Sequence, residues 1–374
     1  MTRDELRRYA VARAFGEPTD LLAAIRKLGY VQADPIRAPA RAQDLILRHR
    51  VNGYGVDDLE NQYPQLPLIE DVLHNYGFLP REHVTLLYPR MLSSRWRNFI
   101  DEHRPLRRKL LDYLGEQDEA HPREVERRLG EGARVNGWGG TSSATTLMLE
   151  ALHREGRACV RRRDNGLRVY ARAPPREAAL SPVARADGLI DLVINLYAPL
   201  QERTLMRVFS MMGTHKPEVD FARRIEVQIK RGKYHRSMVD GIAYLYPAHE
   251  VVTDCAGDAV RFLAPFDPLV WDRARFEHLW GWAYRFEAYT PPARRERGYY
   301  ALPLLWREHI IGWANTSLEA GDLRVQTGYV SRKRLRGSTA AFNSSLECEM
   351  EQYRCFLLGS TQPAASAVKA VSPP

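Results

Sequence analysis

Gln32 and Asp34 are the residues of this sequence whose types and spacing best suit chemistry. They stand in Tyr30-Val31-Gln32-Ala33-Asp34, between Gly29, which should close a helix, and Pro35, which should end an extended run. In an extended chain alternate side chains leave on the same side, so Val31 and Ala33 are expected to face inward and Gln32 and Asp34 outward together. The pair supplies a base and a hydrogen-bonding partner. Arg37, Arg41, Arg48 and Arg50 follow directly, and Arg41 and Arg48 share a face if that stretch is helical. A base beside a row of arginines suggests chemistry next to phosphate. The same residues also suit a loop Asp capping the next helix and a solvated basic face.

A chain of 374 residues should hold two to four domains. Its formal charge is +9, from 55 Lys+Arg against 46 Asp+Glu, and the excess is nearly all arginine. Arginine suits bidentate phosphate contact, which favours a polyanion as partner. No stretch is long and apolar enough for a bilayer, and the N-terminus lacks the apolar core of a signal peptide, so a cytoplasmic place and no membrane partner are expected. Cys159, Cys255, Cys348 and Cys355 are scattered, without a C-x-x-C pair, which speaks against a disulfide framework and a cysteine-based zinc site. No metal and no cofactor are expected.

The elements that must position these residues follow local signals. Thr2 and Glu5 form a capping-box pattern for a helix to about Phe15. Thr19 or Asp20 caps a second helix with Leu22, Ile25 and Leu28 as its buried stripe, and a third starts near Pro39. Leu68–His74 reads as a strand or buried segment. His74 most simply reads as a hydrogen-bonded core histidine, with a supporting role in the site as the alternative. Pro105–Leu114 and His121–Leu129 are helices, and Thr141 caps a further one ending at Gly156. Arg157–Arg163 and Leu167–Arg172 are strands joined by Asp164-Asn165-Gly166, a strong hairpin signal. The hairpin carries Arg161, Arg162, Arg163, Arg168 and Arg172; it can lie along a nucleic-acid backbone, or be an exposed edge protected by charge. Helix, turn, helix and basic hairpin is the winged-helix order. Ser181–Tyr197, Gln201–Met212 and Pro217–Arg231 are expected helices, followed by a hairpin turning near Asp240-Gly241. From Val260 onward, Tyr284–Tyr289, Gly298–Trp306, His309–Trp313 and Leu323–Thr327 alternate as strands, and Ser338–Leu358 should close the fold as a helix.

The chain resembles the bacterial winged-helix DNA glycosylases of the YcaQ/AlkX group. The resemblance rests on Val31-Gln32-Ala33-Asp34-Pro35-Ile36 with Ala40-Arg41-Ala42-Gln43, on Glu70, His74 and Pro80, and on the run from Trp138 to Thr146. It is most specific in Leu263–Arg273 and in Tyr284–Pro291 with Arg295 and Gly298-Tyr299-Tyr300. Tyr76 stands where the group more often has a small residue. The resemblance implies an α+β fold: tandem winged-helix units forming a C-shaped, DNA-holding body, plus a small C-terminal β-barrel-like domain. The expected division is 1–115 with the Gln-x-Asp triplet, 116–176 with the basic wing, a third winged-helix unit at 177–254, a β-rich domain at 255–358 and a disordered tail at 359–374.

With Gln-x-Asp rather than Gln-x-Gln, the resemblance points to hydrolysis of the N-glycosidic bond of bulky N7-alkylated purines, including unhooking of interstrand crosslinks. Gln32 and Asp34 would be catalytic. Arg37, Arg41, Arg48, Arg50, Thr141, Ser142, Ser143, Arg161, Arg162, Arg163 and Arg168 would contact double-stranded DNA, with His74 in support. A monomer is expected. The competing expectation is a non-catalytic winged-helix regulator, which leaves Gln32 and Asp34 without a task and would favour a palindromic site. An RNA- or protein-binding scaffold is the other rival.

Overall fold

A computed structural model of the protein describes all residues except 131–132, 136–140, 177, 214–215, 251–256, 320, 331–337, 360–369 and 372–374. The turn Asn136–Gly140 and most of the expected tail therefore lie outside the described residues. Helices and antiparallel sheets alternate along the chain, an α+β architecture. Among the described residues no helix is long and apolar enough to cross a membrane.

The chain forms two compact units. One gathers Met1–Leu59, Ile190–Arg207 and Ala222–Pro374; the other holds Glu60–Leu189 and Val208–Phe221. The sequence reading divides the chain into consecutive segments, whereas both units are discontinuous, and the core of the first draws on distant stretches. Leu6 and Val11 of the first helix share one buried cluster with Tyr244, Leu263, Val270, Phe276, Leu305 and Ile310.

In the first unit, helix Arg3–Ala14 starts at the expected capping box, with the Thr2 and Glu5 side chains each accepting from the other's backbone N–H. Helix Leu21–Leu28 is capped by Asp20 and buries Leu21, Ala24 and Ile25, so its stripe is rotated from the expected Leu22, Ile25 and Leu28. Strands Tyr234–Val239 and Ile242–Pro247 form a hairpin, with Leu200–Gln201 antiparallel on the other side of Ile242–Pro247. Asp240 and Gly241 take the φ values of 50° and 76° that such a turn needs. A five-stranded sheet runs in the order Val260–Phe262, Leu302–Trp306, His309–Glu319, Asp322–Tyr329, Ala370–Val371. The last strand belongs to the segment expected to be disordered; it pairs parallel, with Ala370 opposite Val325. Helix Thr339–Leu358 joins this sheet, where the Glu349 carboxylate accepts the Phe262 N–H at 2.7 Å.

Tyr284–Tyr289 is not a strand. Glu287 is buried, and its carboxylate accepts the backbone N–H groups of Glu296, Arg297 and Gly298 at 3.2, 2.9 and 3.2 Å. A side chain thus satisfies donors that a ladder would otherwise take.

In the other unit, strands Leu68–Val72 and Tyr76–Pro80 form a hairpin. Helices Arg104–Glu116, Pro122–Leu129 and Ala144–Glu155 precede the hairpin of Ala158–Asp164 and Leu167–Arg172. Asn165 and Gly166 have φ of 48° and 81°, as the Asn-Gly signal requires. The cap of Ala144–Glu155 is Ser143, whose hydroxyl accepts the Thr146 N–H at 3.2 Å; Thr141 instead belongs to the short strand Thr141–Ser143.

Candidate active site

Gly29 ends helix Leu21–Leu28 in the left-handed region, φ 74°, and donates to the Ile25 carbonyl at 2.7 Å. Tyr30 and Val31 are buried next to it and anchor the exit from the helix. The extended run that follows is only Val31–Gln32. Alternation therefore fails after Gln32: Gln32 is buried, while Asp34 is half-buried, so the two do not both face outward as expected. The cause is local. Asp34 Oδ1 accepts the Ile36 N–H at 2.9 Å, folding the chain back around Pro35.

Asp34 is held from two directions. Its backbone N–H donates to Gln43 Oε1 at 3.2 Å, and Gln43 is itself buried on helix Ala42–Leu47. Oδ2 receives no hydrogen bond among the described residues. Burial pushes the Asp34 carboxyl above its ordinary value, an effect the Ile36 N–H only partly offsets. A pinned, half-buried carboxylate with one unengaged oxygen and raised basicity suits a proton acceptor. Its charge also reaches the hydroxyls of Tyr289 and Tyr300, where, after burial, it is the next cause raising both phenols. Tyr300 is buried and its hydroxyl has no hydrogen-bond partner among the described residues, while Tyr289 is exposed.

The arginine row parts ways, a correction to the shared face expected of it. Arg48 turns inward and pairs with buried Glu349 at 2.9 and 3.1 Å, its guanidinium over the Tyr353 ring. Arg50 pairs with fully buried Asp267 at 2.8 and 3.1 Å and donates to the Ile46 carbonyl. Neither is placed to meet phosphate. Arg37 is exposed and bound to Asp57 at 2.6 Å, and Arg41 lies 3.8 Å from the same carboxylate.

Leu263–Arg273, the most specific stretch of the resemblance, is structural. Asp267 holds Arg50 and also caps helix Pro268–Trp271. Asp272 caps helix Arg273–Trp280. The Arg273 guanidinium donates to the carbonyls of Val270 and Pro265 at 2.7 and 3.0 Å. Buried Arg275 donates to the carbonyls of Tyr197, Pro199, Pro268 and Leu269.

The family model for AlkZ-like DNA glycosylases matches residues 25–356. The chain belongs to this family. It is accordingly a DNA N-glycosylase, a DNA-repair hydrolase that acts on N-glycosidic bonds. Among solved structures, DNA glycosylase AlkZ of Streptomyces sahachiroi has a similar fold, with a TM-score of 0.62 over 99% of each chain at 14% identity.

In this AlkZ-like glycosylase the hairpin arginines of the other unit are divided too. A bulge between Val160 and Arg162 sets Arg161 outward, exposed and without an ion pair among the described residues. Arg162 pairs with Glu119 at 2.8 Å. Arg163 and Arg168 instead converge on the buried carboxylate of Glu70, Arg163 at 3.1 and 3.2 Å through Nε and Arg168 at 3.3 Å. Arg168 also lies 3.7 Å from the centre of the Tyr76 ring. Both side chains, expected on a phosphate-binding face, are drawn to Glu70, and Arg163 also lies 3.7 Å from Glu60. Exposed Arg172 remains outward.

His74 is buried in that same unit. Ser143 is spent on its helix cap, with its hydroxyl at 2.9 Å from those of Thr145 and Thr146. The side chains of Thr141 and Ser142 lie outside the described residues. Sequence reasoning did not single out Gln43, Tyr289 or Tyr300, although all three stand in the stretches that carry the resemblance. Gln43 stood in a motif already noted, but only its contact with the Asp34 backbone marks it as a support.

Proposed function

We propose that the enzyme hydrolyses the N-glycosidic bond of bulky N7-alkylated purines in duplex DNA, crosslinked purines included, and leaves an abasic site. Asp34 is the catalytic base and Gln32 orients the water or the sugar. A purine alkylated at N7 carries positive charge and departs without being protonated, so the acid of an ordinary sugar-hydrolysing pair is unnecessary. An ionised Asp34 stabilises the cation developing on the sugar and takes a proton from the attacking water. The water oxygen bonds to C1′, and the base leaves with the electrons of the broken bond, which cancel its charge. Holding the reactants in line is the remaining task.

The observation that carries this reading is the Asp34 carboxylate, fixed through Ile36 and Gln43 and half-open, with Oδ2 unengaged. Three runs of helices followed by a hairpin support tandem winged-helix units as the DNA-holding scaffold. Arg37, Arg41, Arg161 and Arg172 are the arginines best suited to phosphate, and the protein acts as a monomer. The test is release of base from a duplex containing N7-alkylguanine, without added metal. Asp34→Asn should lower single-turnover release by about 10²–10⁴-fold, the usual worth of a general base, and leave duplex affinity unchanged. Full turnover by Asp34→Asn removes Asp34 from the chemistry.

A further inference from the structure

Among the described residues Tyr289 is the most exposed large apolar side chain, at 79%. An aromatic ring in water has an unfavourable surface, and here it stands on a segment built to hold it there. The Glu287 carboxylate fixes the backbone at Glu296, Arg297 and Gly298. The Thr290 N–H donates to the Glu287 carbonyl at 2.9 Å, and Arg295 Nε donates to the Thr290 carbonyl at 2.8 Å. Tyr289 sits between these ties. Phe286 meets its ring edge-on at 6.0 Å, and meets the Tyr300 ring at 5.2 Å. Phe266 meets Phe286 in turn at 5.1 Å. The ring is thus presented on a backed aromatic tier, its ordering cost met within the fold. The Asp34 charge acts on the phenols of both Tyr289 and Tyr300.

We propose that Tyr289 is the face against which the alkylated purine stacks as its bond to the sugar breaks, and that its ring selects for the positive charge of the base. The inference rests on the N7-alkylpurine reading above. A cationic heteroaromatic ring is drawn to an aromatic face both by stacking and by the attraction of its charge to the π-electrons. A neutral, undamaged purine has only the first. An open platform also accommodates bulk on N7, which an enclosed pocket would reject. Asp34 then acts on the sugar while Tyr289 holds the leaving group.

The experiment measures single-turnover release of N7-methylguanine from a defined duplex by the full-length protein and by Tyr289→Ala, Tyr289→Phe, Tyr289→Trp and Asp34→Asn. Tyr289→Ala should slow release roughly tenfold to a hundredfold, the usual range for losing one base-stacking ring. Tyr289→Phe and Tyr289→Trp should stay within about threefold of the parent, since both keep a π-face. Affinity for undamaged duplex should not change in any of them. In competition, free N7-methylguanosine should inhibit the parent more than guanosine does, and Tyr289→Ala should lose that preference. Unchanged release by Tyr289→Ala beside an inactive Asp34→Asn overturns the stacking role alone. Equal losses in the Ala, Phe and Trp variants overturn it too, because the ring face would then not be what matters. Release that survives Asp34→Asn overturns the catalytic reading, and the Tyr289 series still decides the platform.

Discussion

Replacing Glu70 by Gln removes the charge that Arg163 and Arg168 share, leaving Arg163 the carboxylate of Glu60 at 3.7 Å. Glu70 is 2% exposed and contacts Arg163 Nε at 3.1 and 3.2 Å and Arg168 at 3.3 Å. Breaking a buried pair from one side leaves charge without compensation, at a cost of about 3–5 kcal/mol. The Arg168 side chain keeps 30% of its exposure, so the lower half of that range applies. At about 2–4 °C per kcal/mol for a body of this size, the melting temperature should fall roughly 6–16 °C. The pH dependence follows from the carboxyl itself. Burial pushes it up, but Arg163, Arg168 and the Tyr76 hydroxyl outweigh burial and hold it below its ordinary value. Its stabilisation is therefore fully present above the unfolded glutamate value of about 4.3 and is lost as pH falls through the lower folded value. Calorimetry should show parent and Glu70→Gln melting apart at neutral pH and converging in strong acid. Arg163→Ala should also melt early, with the salt dependence of duplex binding unchanged. Arg161→Ala should melt like the parent, with a salt slope lower by about 0.9. A Glu70→Gln protein melting within about 1 °C of the parent at neutral pH would refute the reasoning. So would an Arg163→Ala protein that loses as much salt slope as Arg161→Ala.

Two further outcomes are expected. Because burial raises the Asp34 carboxyl, the acidic limb of kcat/KM should lie above the ordinary aspartate value of about 3.9, with activity lost as pH falls through it; a limb at or below that value would separate the profile from Asp34. Tyr300→Phe removes a buried hydroxyl that has no partner among the described residues, so the protein should gain up to about 1 kcal/mol in denaturant unfolding, and a loss of stability would reveal a bonded hydroxyl.

Local signals were legible in the sequence. The Thr2–Glu5 capping box, the Asn165-Gly166 and Asp240-Gly241 turns and the long closing helix all depend on residues within a few positions of one another. The Gln32–Asp34 stretch was visible for the same reason, although its alternation was not: a single Asx turn at Asp34 cut the strand to two residues. The fates of the arginines were out of reach. Arg163 meets Glu70 across 93 positions, Arg50 meets Asp267 across 217, and Arg48 meets Glu349 across 301. A basic hairpin and a buried ion-pair hub look alike until the partner is known. Tyr289 was hidden differently, because its alternating neighbours imitate a strand, whereas the segment is held by the Glu287 carboxylate reaching Glu296, Arg297 and Gly298.

The way Leu6 and Val11 share a core with Phe276, Leu305 and Ile310 bears on the order in which the polypeptide acquires shape at the ribosome. Helix Arg3–Ala14 is made long before the other members of this cluster, which run from Val239 to Ile310, so the core is complete only once synthesis has passed residue 310. Residues 60–189 lie wholly within that waiting period and form most of the other unit. The middle of this chain can therefore mature while the beginning is still unprotected, which makes the opening helix a natural client for chaperones during translation. Stopping synthesis before the Asp267–Arg275 knot would deny Arg50 its acid and the Tyr197 and Pro199 carbonyls their donor, so the early segments inherit their stability from much later ones.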